Sequence, residues 1–151
     1  MPITAKDYLK NLRFVVANVP SEVDSIVYKN EVKIIELNTE DQLFDKSINI
    51  HGNPLGFYAW DYEPEAGDIA KGFPKLRNQP YNFVKTGVLF RDMELRLNGF
   101  DLFFQNTDSG NKVDELEQMS GEFIGLTEEN KAVLNWEIIY PELMAFINKY
   151  V

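Results

Sequence analysis

The chain contains no cysteine, a single histidine and no long apolar run. The absence of cysteine excludes disulfides, thiolate nucleophiles and Cys-based zinc sites together. Any Ser-His-Asp arrangement or histidine-rich metal site would have to be built around His51. That residue stands in the turn-like string IHGNP with no partner pattern beside it, so it reads as a structural or exposed residue rather than a catalytic base. No stretch approaches the ~18 apolar residues of a membrane span. The opening MPITAKDYLKNL lacks the basic and apolar regions of a secretory leader, so neither secretion nor a membrane anchor is expected. Phosphate-cradling glycine motifs are missing too: GDIAKGF matches neither G-x-x-x-x-G-K-[ST] nor G-x-G-x-x-G. Basic residues are scarce, 15 Lys and Arg against 24 Asp and Glu, for a formal charge of −9. A broad basic surface for nucleic acid is therefore not expected, because phosphate binding needs clustered Lys and Arg.

What is present suits one globular domain. The chain has 151 residues, 44% hydrophobic and 13% aromatic, enough apolar surface to offset the entropy of ordering in a domain of this size. The charge is uneven. From Lys71 to Arg96 there are six basic residues (Lys71, Lys75, Arg77, Lys85, Arg91, Arg96) against Asp92 and Glu94, so a basic segment sits on an acidic remainder. Such asymmetry is a hint of interaction, and it can steer acidic neighbours into register.

The patterning predicts helices over about 4–45, an irregular β and loop region over about 47–84, a hairpin over 88–107 and helices over about 111–150. The fold class is thus α+β, a small antiparallel sheet packed against helices at both ends of the chain. Thr4 can cap the first helix, and Leu9, Leu12, Val15 and Val16 recur at helical spacing until Pro20, where a break is expected. Ser21 then reads as the cap of a second helix, whose run VKIIEL is also compatible with a strand. Thr39 and Gln42 form a Thr-x-x-Gln pattern that predicts a further helix start. From Ser47 to Gln79, glycines and prolines interrupt the aromatics and predict short strands and a long loop. Val113, Leu116 and Met119 predict one face of a short helix stopped by Gly121, Thr127 caps the next, and Pro141 predicts a break near Tyr140 and can itself open the last helix at its first position.

The clearest pattern lies between Lys85 and Asp108. Asn98-Gly99 favours a two-residue type I′ turn. That turn would pair Leu97 with Phe100, Leu95 with Leu102, and Met93 with Phe104 on a core face. Arg96 would then meet Asp101 on the outer face, with Glu94 opposite Phe103. The outer residues Arg96, Asp101 and Phe103 are candidates for contact with a neighbour.

Chemistry has thin support. The carboxylates of WDYEPEAGD (Asp61, Glu63, Glu65, Asp68) do not have EF-hand spacing and are interrupted by Pro64, so a solvated acidic loop is the better reading. Phe57, Tyr58, Trp60 and Tyr62 could stack on a sugar or base, but aromatics near strands without adjacent basic residues are more often packing or interface. No catalytic residue, cofactor or metal ion is expected. An alternative is a ligand-binding module that holds a glycan or Ca²⁺ on the loop 57–68. A metal-dependent hydrolase would require His51 and the Asp61 to Asp68 cluster to converge.

The ordered set IIELNTEDQLFDKSINIHGNPLGFYA, PYNFVKTGVLFRDMELRLNG, DLFFQNTD and KVDELEQMSGEFIGLTEEN, followed by a last helix, resembles small neck or tail-completion proteins of tailed phages, as found in phages and prophages of Bacteroidetes. In that pattern a TG step (Thr86-Gly87) leads into a hairpin, a helix, and a GL-T-x-E segment (Gly125 to Glu129) that opens the C-terminal helix. Lys85 and Val88 depart from it, standing where acidic residues are usual. The resemblance implies a non-enzymatic virion component at the head-to-tail connection, assembled in the host cytoplasm as a ring of identical subunits. It implies portal or adaptor and tail-tube or other neck proteins as partners, with DNA only in passage and no membrane. On that reading the contact residues are Lys71, Lys75, Arg77 and Lys85 on a basic side, with Tyr58, Trp60 and Tyr62 as aromatic anchors.

Overall fold

The computed structural model describes residues 4–59, 78–81, 88–107 and 112–151. Helix α1 (Ala5–Lys29) starts as expected: the Thr4 hydroxyl accepts from Asp7 N at 3.2 Å, and the Asp7 carboxylate accepts from Thr4 N at 3.3 Å. The expected break at Pro20 does not occur, and the helix runs through it. An interior proline costs ~3 kcal/mol through its missing N–H and its clash with the preceding turn. Val15 on one side of it and Ile26 and Val27 on the other are buried, and each such side chain contributes ~1.5–3 kcal/mol, so continuity wins. Ser21 does not cap a new helix. Its hydroxyl donates to Asn18 O at 3.0 Å within the turn.

VKIIEL is helical, not a strand: α2 (Glu31–Glu36) passes directly into a π-helical segment, Leu37–Asp45. Thr39 is consequently no N-cap. It is buried inside the segment with its hydroxyl donating to Ile35 O at 3.1 Å, and Gln42 turns away to another part of the chain. Among the described residues of the irregular region there are two isolated bridges, Ile48 with Pro54 and Phe57 with Pro80, in place of the expected short strands.

The hairpin is shorter than 88–107. Val88–Arg91 forms one helical turn, α3, which carries Leu89 into the core and lets its carbonyl accept from Asn106 Nδ2 at 2.6 Å. Strands β1 (Met93–Asn98) and β2 (Asp101–Asn106) then form a two-stranded antiparallel sheet. Its turn lies one residue further on than expected, with Leu97 opposite Leu102, Leu95 opposite Phe104 and Met93 opposite Asn106. A type I′ turn needs two residues at positive φ. Here Asn98 stays in the ladder opposite Asp101, and Gly99 alone takes positive φ (65°) at the first central position, as a type II′ turn requires. Because the pairing shifts by two positions, every strand residue keeps its face. Phe100, by contrast, leaves the core face for the turn and is 68% exposed.

Helix α4 (Lys112–Ser120) ends at Gly121, whose φ is 76° and whose N–H donates to Glu117 O at 2.8 Å. Its inward positions are Val113, Leu116 and Ser120, and Met119 is exposed, contrary to expectation. Thr127 caps α5 (Glu128–Val133) through Asn130 N at 3.2 Å, with Glu128 and Glu129 at the positive end of the helix. Pro141 does not break the chain either, although it does stand in the first turn of the last helix as expected. A π-helical segment, Leu134–Ile139, joins α5 to α6 (Tyr140–Tyr150).

Two apolar clusters result. Val27, Ile34, Leu95, Leu126 and Leu134 gather between α1, α2, β1 and the C-terminal helix, while Leu43, Leu55, Leu89 and Phe123 gather under the irregular region. Helices α1 and α6 run antiparallel, with Phe14 against Tyr150 (ring centroids 4.8 Å apart) and Lys29 bonded to Glu142 at 2.7 Å.

Candidate interaction surface

The segment between α4 and α5 is held by side-chain amides. Asn38 Nδ2 donates to Phe123 O (2.8 Å) and Gly125 O (2.5 Å). Gln42 Nε2 donates to Gly125 O (3.1 Å) while its oxygen accepts from Thr127 N (2.9 Å). Asn130 Nδ2 returns the contact to Leu37 O (2.7 Å) and Asp41 (3.0 Å). All three amides are buried and their NH₂ groups are paired, as buried donors require, while Asn38 Oδ1 has no hydrogen-bond partner among the described residues. Lys46 closes the rim with Asp41 (3.0 Å) and Glu129 (3.3 Å), and the Asp41 hydrogen bond foremost pushes its pKa up. A second knot anchors the turn after the π segment: Asn49 donates to Ser120 O at 3.0 Å and accepts from the His51 and Asn53 N–H groups.

This rigid frame borders a groove of about 480 Å³ lined by Leu102, Phe103, Phe104, Ile124, Leu126 and Asn135, with Glu122 and Lys131 also on its wall. Three consecutive β2 residues line it, so the strand meets the groove edge-on. β1 lies against α2, which leaves the β2 edge with no further strand among the described residues. Such an edge is a template for contact with another chain.

On the outer face of the sheet, Arg96 and Phe103 are direct partners and Asp101 sits opposite Asn98, so the expected Arg96–Asp101 pair is not made. Arg96 instead lies 3.8 Å from Glu94. With the Gln105 amide turned to face it, Arg96 Nε also donates to the Gln105 oxygen at 2.7 Å. Phe103 is 51% exposed above them. Three of the sequence candidates, Arg96, Asp101 and Phe103, therefore do share one surface. Tyr58 is half-buried and meets Tyr81 edge-on at 4.8 Å, an arrangement that packs the ring into the protein. Lys71, Lys75, Arg77, Lys85, Trp60 and Tyr62 lie outside the described residues, as do Asp61, Glu63, Glu65, Asp68 and the Thr86-Gly87 step. His51 is exposed in its turn.

Sequence reasoning passed over two exposed groups. Trp136 (66% exposed) and Tyr140 meet at a tilt, ring centroids 5.3 Å apart, on the outer side of the C-terminal helix. Tyr8, Leu9, Leu12 and Val16 are exposed near the start of α1. The signal for the first was an i, i+4 aromatic pair out of phase with Leu134 and Ile138. The signal for the second was missed because helical periodicity marks an apolar face without saying whether anything covers it. No protein-family model, curated protein or solved structure matches the chain.

Proposed function

We propose that this protein is a non-enzymatic structural component of a tailed-phage virion, acting in the head-to-tail neck or in tail completion as a ring of identical subunits. One observation carries the reading: the hairpin sets an exposed outer face around Phe103 and an open β2 edge beside a groove, on a frame fixed by buried amides. Exposed aromatic and arginine side chains on a rigid support are what protein interfaces use. The ordered likeness of residues 34–150 to neck proteins supplies the context, with portal or adaptor and tail-tube proteins as neighbours. The net charge of −9 suits a ring through which DNA passes without adhering, since phosphates are repelled.

The test is electron microscopy of the purified protein, with Phe103→Asp as the variant. Closed rings for the wild type, and their loss in a variant with unchanged circular dichroism, are expected. Protein that stays monomeric both alone and with neighbouring virion proteins overturns the proposal.

A further inference from the structure

Residues 4–14 of α1 are exposed except for half-buried Asn11, and Val15 is the first buried residue. This arm nevertheless carries an apolar stripe. Tyr8, Leu12 and Val16 follow at four-residue spacing with Leu9 beside them, and the same stripe continues through Val19 and Val23 to Ile26 and Val27, where it enters the core. An uncovered helical stretch of this length is marginal in water by itself. The arm is also basic, with Lys6, Lys10 and Arg13 against Asp7, while the whole chain carries −9.

A complementary surface lies at the other end of the molecule. A groove of about 430 Å³ runs between the Leu37–Asp45 segment and the helix across Val133–Ile138. Its floor is half-buried Leu37 and Ile138, and its walls carry Glu36, Glu40, Asp45 and Glu137, with Lys33 as the one basic group. None of those four carboxylates has an ion-pair partner among the described residues. The Asp41 carboxylate at the same groove is already taken by Lys46 and Asn130.

Arm and groove cannot meet within one subunit. In the antiparallel α1–α6 pair, Phe14 lies at Tyr150 and Lys29 at Glu142. The arm therefore extends past one end, while Glu137 lies beyond Glu142 past the other. The 22 residues of continuous helix from Tyr8 to Lys29 separate them by about 30 Å.

We infer that the α1 arm of one subunit docks into the Glu36, Glu40 and Glu137 groove of a second copy, making the head-to-tail contact that propagates around the ring. A contact between two different surfaces closes into rings when its rotation permits. The inference deepens the ring reading and rests on it.

The test uses the full chain. Lys10→Glu with Arg13→Glu, and separately Glu40→Lys with Glu137→Lys, are expected to weaken self-association at least ~10-fold by sedimentation velocity, with circular dichroism unchanged. Mixing the two variants restores association. Because the chain has no cysteine, Leu9→Cys and Glu40→Cys variants mixed under oxidising conditions should give a disulfide-linked heterodimer in excess of either homodimer. If the wild type forms rings and the reversed-charge arm forms them equally well, the arm–groove contact is wrong and the ring stands. A wild type that never associates removes both.

Discussion

The Phe123–Thr127 segment and the Met93–Asn106 hairpin lie side by side along one groove and are held by opposite means. The segment has no ladder of its own, and its Phe123 and Gly125 carbonyls and Thr127 N–H are met by Asn38 and Gln42 reaching from a π-helical segment more than eighty residues earlier, while the Glu117 carboxylate accepts from the Phe123 and Ile124 N–H groups. The hairpin pairs its two strands with each other and relies on others to cover Met93, Leu95, Leu97, Leu102 and Phe104 and, through Asn106, on the Leu89 carbonyl. An amide pair with two directional bonds admits one placement, whereas an apolar sheet face tolerates sliding by two residues without changing which side chains point inward. The segment should therefore be brittle to small polar changes and the hairpin forgiving of them.

The sharpest way to break that contrast is Gln42→Leu, which keeps the bulk and leaves Thr127 N unpaired in the interior. A loss of about 2 kcal/mol in urea unfolding is expected; a loss no larger than for a surface change would mean the segment is held by its apolar neighbours instead. Gly99→Ala comes next. Space around the new Cβ is open, but φ is 65°, so the cost is the left-handed conformation itself, ~1 kcal/mol. A smaller effect is expected from Glu142→Gln. The hydrogen bond from Lys29, and then that from Asn30, holds the Glu142 carboxyl below its usual range. Its contribution to stability is therefore full above the unfolded carboxylate pKa and disappears as pH falls through the lowered folded value. The gap between wild type and variant should close between about pH 6 and pH 3, and a gap that widens on acidification would contradict it. Asp101→Ala is the smallest, within ~0.5 kcal/mol, because Arg96 lies opposite Phe103 and not Asp101. A larger loss would favour the other register.

The parts of the fold visible in the sequence were those written in local chemistry. Thr4 with Asp7, Thr127 with its two glutamates, and Gly121 as a stop each act within one turn, so their neighbours in sequence suffice to read them. Pro20 and Thr39 misled because their local preference was outweighed by burial of side chains whose partners lie far away in sequence, whereas Pro141 was legible as a first-turn residue but not as lying within a continuous helical run. The inward and outward faces of the hairpin were legible from alternation, and its register was not, because Asn98-Gly99 and Gly99-Phe100 both offer a glycine for the turn. Of the candidate contact residues, Arg96, Asp101 and Phe103 were placed on one face by that alternation. The α1 arm was named as a helix face, but its exposure is a property of what the rest of the chain fails to cover.

The π-helical segment Leu134–Ile139 works as a vernier between two halves of one helix. Each wide turn holds more residues than an α turn, so it resets the phase of everything after it. Letting those six residues take the α period with none removed would rotate the downstream helix by about 100°. Glu142 would swing out of line with Lys29 and Asn30, and Tyr150 with Phe14. The helix would be just as helical, yet aimed at different neighbours.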